Sequence, residues 1–108
     1  MNPKRGEIWW VNLDPTQGRE IRKHRPCVIL SADWLNRKRS TPVVVPLSSS
    51  PQSAPPVVVS IPSAGSDSVA VMDQMRAVDK RRFTHKTGSL SAADMKSVEH
   101  AARMILVL

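Results

Sequence analysis

The chain has 108 residues, 41% of them hydrophobic and 23% charged, which suits one modest folded core and not a disordered chain. Sixteen Lys and Arg against nine Asp and Glu leave a net charge of +7, which favours a polyanionic partner. One cysteine excludes an internal disulfide, and no apolar run approaches the ~20 residues that cross a bilayer, so a membrane is not an expected partner.

Residues 7–13 read as a strand in which Ile8, Trp10 and Asn12 alternate with Trp9, Val11 and Leu13. Asp14-Pro15 ends it, because proline brings no amide donor. Residues 16–24 form a polar loop hinged at Gly18, and residues 26–31 a second strand, apolar enough for burial on both faces. Residues 33–39, polar around Trp34 and Leu35, suit one helical turn. A third strand covers 41–47, with prolines at each end, and a Ser/Pro-rich loop covers 48–56. Residues 57–61 make a fourth strand, 62–66 a turn containing Gly65, and 68–72 and 75–78 two more short strands. Residues 80–86 read as a basic connector.

The period then changes. Ser91 is placed to cap a helix, with Asp94 three residues on in the place of a capping-box acid. Met95, Val98, Ala101, Ala102, Ile105 and Leu106 follow at helical spacing. Several strands and one terminal helix predict an α+β domain, mainly β, or a barrel plus helix, with residues 1–108 as a single unit. The basic start of the chain leads into Gly6-Glu7 without an apolar stretch, so no signal peptide is expected and the cytoplasm is the expected compartment.

Twelve of the sixteen basic residues fall in three segments, 19–25, 37–39 and 76–86, which contain only Glu20 and Asp79 among acids. Charge clustered in this way builds a field that nucleic acid would feel. No Cys or His pair has metal-ligand spacing, no glycine-rich phosphate loop is present, and Cys27 lies inside an apolar strand, so neither a metal nor another cofactor is expected. Arginine chemistry on loops at strand ends remains. Metal-free RNA cleavage uses the ribose 2′-OH as nucleophile, so the protein has only to stabilise charge and move protons. A planar guanidinium that grips two phosphate oxygens suits the first task, with a hydroxyl donor beside it. Arg25, before the second strand, and Ser48, at the end of the third, occupy such positions.

Four blocks together resemble the MazF/PemK (Kid-type) toxin family. They are residues 5–9 running into 13–20, residues 25–31, residues 43–49 and residues 67–80, in the family's order and spanning nearly the whole chain. The resemblance implies an SH3-like small barrel with a C-terminal helix, of the CcdB/MazF type. It implies a homodimeric, metal-independent endoribonuclease that cuts single-stranded RNA at short sequences and is neutralised by a cognate antitoxin. Arg25 takes the place of the family's catalytic arginine. Ser48 stands where members usually carry threonine and keeps the hydroxyl.

Glu20 matches the acidic residue of the family's first loop and is expected to orient Arg25 or take a proton. Arg19 occupies a place where one branch has histidine. Asp73 matches an acid that the same branch uses as a base, but Val71 replaces the arginine that accompanies it there, which favours the Arg25–Ser48 version. An arginine, with a pKa above ~12, is a poor base, so Arg25 is assigned to charge stabilisation. Arg19, Lys23, Asn36, Asp73, Gln74 and Arg76 are the expected RNA contacts. Asn36 and Gln74 either read base edges or satisfy buried backbone groups. His24 is expected to be an exposed loop residue. Two rival functions are a gyrase poison of the CcdB kind and an RNA-binding module that does not cut.

Overall fold

The computed structural model describes residues 2–13, 18 and 23–108. Strand β1 (Glu7–Asn12) follows the expected alternation. Ile8 enters one apolar cluster with Val28, Val45, Leu47, Ile61 and Met72, whereas Val11 and Leu13 enter a second with Cys27, Ile29, Val44 and Phe83. Each face of the central sheet therefore has its own core, which is why β2 (His24–Ile29) and β3 (Val43–Ser48) are apolar without alternation.

The remaining strands are β4 (Val58–Ser60), β5 (Val69–Val71), β6 (Arg76–Ala77) and β7 (Phe83–Ser89). All pairings are antiparallel, in the order β4-β5-β3-β2-β1-β7, with β6 beside the start of β3. Helix α1 (Asp33–Lys38) links β2 to β3, and α2 (Ala92–Leu106) closes the chain. The class is α+β and mainly β, as expected. Among the described residues, however, the sheet path is open, with β4 and β7 at its ends.

One expected connector is a strand. Only Lys80–Arg82 forms a turn, and Phe83–Ser89 pairs along β1 with two register shifts. Apart from Phe83 and the half-buried Gly88, its residues are exposed, so no alternation marks it in the sequence. Glu7 ties the two strands together: its carboxylate accepts from the Trp9 indole at 3.1 Å and pairs with Lys86 at 3.0 Å. Burial pushes this carboxyl up, but those partners and the Lys4 amide outweigh it and hold it below the ordinary glutamate range.

Helix α2 starts at Ser91, whose hydroxyl accepts from the Asp94 amide at 3.1 Å. The capping-box return is rerouted. The Asp94 carboxylate accepts from the Ser63 amide, at 2.8 Å, and from the Ser63 hydroxyl, while the Ser63 hydroxyl oxygen accepts from the Ser91 amide at 3.0 Å. Ser63 belongs to the 3-10 turn Pro62–Ala64, so the helix cap also fixes that turn. Val98 and Ala101 are buried, and Met95, Ala102 and Ile105 pack on the first cluster. Leu106, expected in the same stripe, is 52% exposed, because the helix ends there with Val107 in the left-handed region.

Cys27 is buried as a small apolar residue. Burial pushes its thiol up to about 12, against partial opposition from the Arg76 charge. In the folded protein at neutral pH it is expected to resist a thiol reagent, and to react fully after denaturation. A colorimetric thiol assay with and without denaturant checks this.

Candidate active site

The antiparallel register of β2 and β3 decides what meets at their ends. Val28 faces Val45 and Cys27 faces Pro46, and the ladder stops there. Pro26 and Pro46 have no amide hydrogen to carry it further. Continued at the same register, it would set Arg25 opposite Ser48. Both residues instead line one cavity of about 540 Å³, bounded by Ile8 and Trp10 of β1, the turn around Ser63 and the end of β7.

Arg25 is half-buried, and among the described residues it is the one charged side chain on the cavity wall. Hydroxyls surround it: Ser48, Ser49, Ser63, Ser68, Thr87 and Ser89 all line the space. The Ser48 oxygen accepts from the Ser50 amide at 3.2 Å, which orients the hydroxyl and leaves its proton to donate. The Ser63 hydroxyl proton is spent on Asp94 and that of Thr87 on the Ile8 carbonyl, so the Arg25 guanidinium, with Ser48 as the hydroxyl donor on the same wall, offers strong, geometrically matched bonds to a phosphodiester. Trp10 supplies an aromatic wall, its ring centroid 6.3 Å from that of His85.

The other expected site residues are scattered. Arg19 and Glu20 lie outside the described residues. Lys23 is exposed two residues before Arg25, with positive φ and its carbonyl accepting from the Leu13 amide at 2.9 Å. Asp73 is exposed and Gln74 half-buried in the 3-10 turn Met72–Gln74, and neither lines the cavity. Arg76 pairs across from Val44, four residues before Ser48 along β3, a separation of about 13 Å.

Asn36 requires a correction. It is buried, its amide donates to the Ser31 carbonyl at 3.0 Å, and its oxygen accepts from the Ser31 hydroxyl. Ser31 in turn accepts from the Val43 amide at 2.9 Å, so Asn36 pins α1 to the β2–β3 connection and has no face left for a base. His24 is exposed, as expected, but it opens strand β2 across from Asn12 and is not a loop residue. The sequence reading missed the hydroxyl ring. Ser63, Ser68, Thr87 and Ser89 sit in turns and an edge strand, where serine and threonine carry no distinguishing signal.

Residues 4–106 match a family profile described as PemK-like, MazF-like toxin of type II toxin-antitoxin system. The chain is 33% identical to Endoribonuclease MazF9 of Mycobacterium tuberculosis, with 97% of each chain covered. Its fold superposes on MazF (Form-I) from Deinococcus radiodurans with a TM-score of 0.89 at 24% identity, covering 100% of this chain and 99% of the other. A mycobacterial endoribonuclease solved in complex with its cognate antitoxin gives a TM-score of 0.82 at 22% identity, with 98% and 96% covered.

Proposed function

Because the chain belongs to the family of PemK-like, MazF-like toxins of type II toxin-antitoxin systems, we propose that it is a metal-independent endoribonuclease acting at the cavity shared by Arg25 and Ser48. That shared cavity is the observation carrying the reading. The substrate is single-stranded RNA. The ribose 2′-oxygen attacks the adjacent phosphorus, the bond from phosphorus to the 5′-oxygen breaks, and the products are a 2′,3′-cyclic phosphate and a 5′-hydroxyl.

Arg25 grips the non-bridging oxygens as negative charge accumulates on them, and the Ser48 hydroxyl adds a hydrogen bond that strengthens with that charge. Glu20, five residues before Arg25, takes the 2′-OH proton or orients the guanidinium, and a proton reaches the departing 5′-oxygen. Lys23, exposed two residues before Arg25, supplies positive charge for the substrate, and Arg19 keeps the RNA contact that the family resemblance implies. A cognate antitoxin is the partner that the family description and a relative's printed title support, and acidic segments on it would suit this basic chain. A second copy of the chain, in a cytoplasmic homodimer, belongs to the same reading and rests on the family resemblance.

Long single-stranded RNA incubated with the protein in excess EDTA is expected to be cut, leaving 5′-hydroxyl ends on every fragment. Ser48→Ala is expected to lower kcat by about 10²-fold, the usual cost of one transition-state donor, with Ser48→Thr retaining most of it. Single-turnover kinetics on a defined oligonucleotide checks this. RNA left intact by the wild-type protein refutes the assignment, and gyrase-dependent DNA breaks in its place would select a poison of that enzyme.

A further inference from the structure

Two basic segments lie away from the cavity, and the fold joins them. Helix α1 carries Trp34, Arg37 and Lys38 at i, i+3 and i+4, so the three side chains share one face. Asn36 anchors the helix from its other side. Trp34 is 62% exposed, an uncommon placement for a side chain with so much apolar area. Arg39 follows, also exposed. The second segment is brought alongside by backbone bonds: the Lys80 amide donates to the Ser40 carbonyl at 2.8 Å and the Val78 amide to the Pro42 carbonyl at 3.0 Å.

The turn Lys80–Arg82 therefore begins next to the end of α1. Among the described residues, the segments that carry Arg37, Lys38, Arg39, Lys80 and Arg81 contain two acids, Asp33 and Asp79. Asp33 already accepts from the Arg5 amide at 2.7 Å, and Asp79 holds Arg81 at 3.1 Å. Arg37, Lys38 and Arg39 thus face solvent with the half-buried Lys80 beside them, and none of the four has an ion pair among the described residues. β2 runs from the cavity towards α1 and β3 runs back, so the patch sits at the far ends of both strands. The four-residue step from Arg25 to Ile29 alone spans about 13 Å.

We infer that this patch is a second RNA-binding site, which takes the phosphate backbone of the strand beyond the scissile step and stacks one base on Trp34. The inference rests on the endoribonuclease reading above and extends it to the flanking substrate. The exposed indole favours RNA over an acidic peptide. Carboxylates would use the cations and leave the ring idle, whereas every unpaired base has a π-face to lay on it.

The test compares RNA of about 16 nucleotides with RNA of about 4 nucleotides, which fills the cavity only. Trp34→Ala and the double variant Arg37→Gln, Lys38→Gln are expected to raise KM about 10-fold on the long RNA, with kcat unchanged and the short substrate unaffected. For the double variant, the salt slope of binding should fall by roughly 1.4, the counterion release of two phosphates on a single strand. Equal effects on both lengths, or none on either, would overturn the site.

Binding of a long 2′-O-methylated RNA, which cannot react, separates this idea from the catalytic one. A share of the tryptophan quenching that is lost in Trp34→Phe, with the share from Trp10 in the cavity retained, supports the patch even if no RNA is ever cut. Unquenched Trp34 beside intact cleavage removes the patch and leaves the nuclease standing. Stronger quenching by polyglutamate than by RNA would reassign the surface to an acidic protein. A change in sedimentation of RNA-free Trp34→Ala would reassign it to a contact between copies. Either result overturns the proposal.

Discussion

Replacing Arg25 by alanine is expected to reduce the rate of RNA cleavage by about 10³-fold or more while leaving the fold intact. Arg25 is the one charge on the cavity wall among the described residues, so nothing there replaces it as charge builds on the phosphate. Its side chain makes no hydrogen bond or ion pair among those residues, and its backbone position across from Val11 does not depend on its identity. Thermal unfolding should therefore shift by little. Arg25→Lys should recover only part of the loss, because an ammonium is a point charge and cannot bind two oxygens in a plane. Cleavage by the alanine variant at the wild-type rate would remove the active centre proposed above.

The second large effect is expected at Asp94, outside the cavity. Asp94→Ala leaves the exposed Ser63 amide and hydroxyl without their buried carboxylate acceptor. Water can reach Ser63, so the cost is that of two hydrogen bonds to a charged acceptor at the low end of their range, about 1.5 kcal/mol each. A loss of about 3 kcal/mol would lower Tm by roughly 10–20 °C in a domain of this size. Asp94→Asn keeps a carbonyl oxygen for one of the two bonds and should recover about half. Ser63 and Ala64 line the cavity, so the alanine variant should also raise KM for RNA at a temperature where it remains folded. Urea titration with kinetics well below Tm separates the two effects. Unchanged stability would mean that the Ser63 relay does not hold the helix cap.

What could be read from the sequence depended on how much of each residue's environment is local. The alternation of Ile8 with Trp9 and Val11 and the helical spacing from Met95 to Ile105 are period signals, and the structure follows both. Strand β7 was unreadable because Thr84, His85, Lys86 and Thr87 face solvent at a sheet edge, where no apolar face has to be kept. Arg25 and Ser48 were findable because strand-ending positions and recurring blocks are written along the chain. Their neighbours Ser63 and Thr87 are brought in from other elements, and only the folded chain assembles them. The two readings of Asn36 could not be separated for a related reason: in a short polar helix an amide that fastens the backbone has the same letter as one that reads a base, and the structure shows the first. Glu20 and Arg19 keep the standing that the family resemblance gives them.

Among the described residues the outer side of β7 has no strand beside it, which bears on how the chain behaves in a crowd of its own copies. A flat, regular border strand is a template on which further chains add and fibres grow. Here the two register shifts against β1 disturb the spacing of the backbone groups, and Lys86 places a cation on the border. An incoming strand meets a mismatched row of donors and the Lys86–Glu7 ion pair to desolvate, so β7 is a poor seed for amyloid-like stacking.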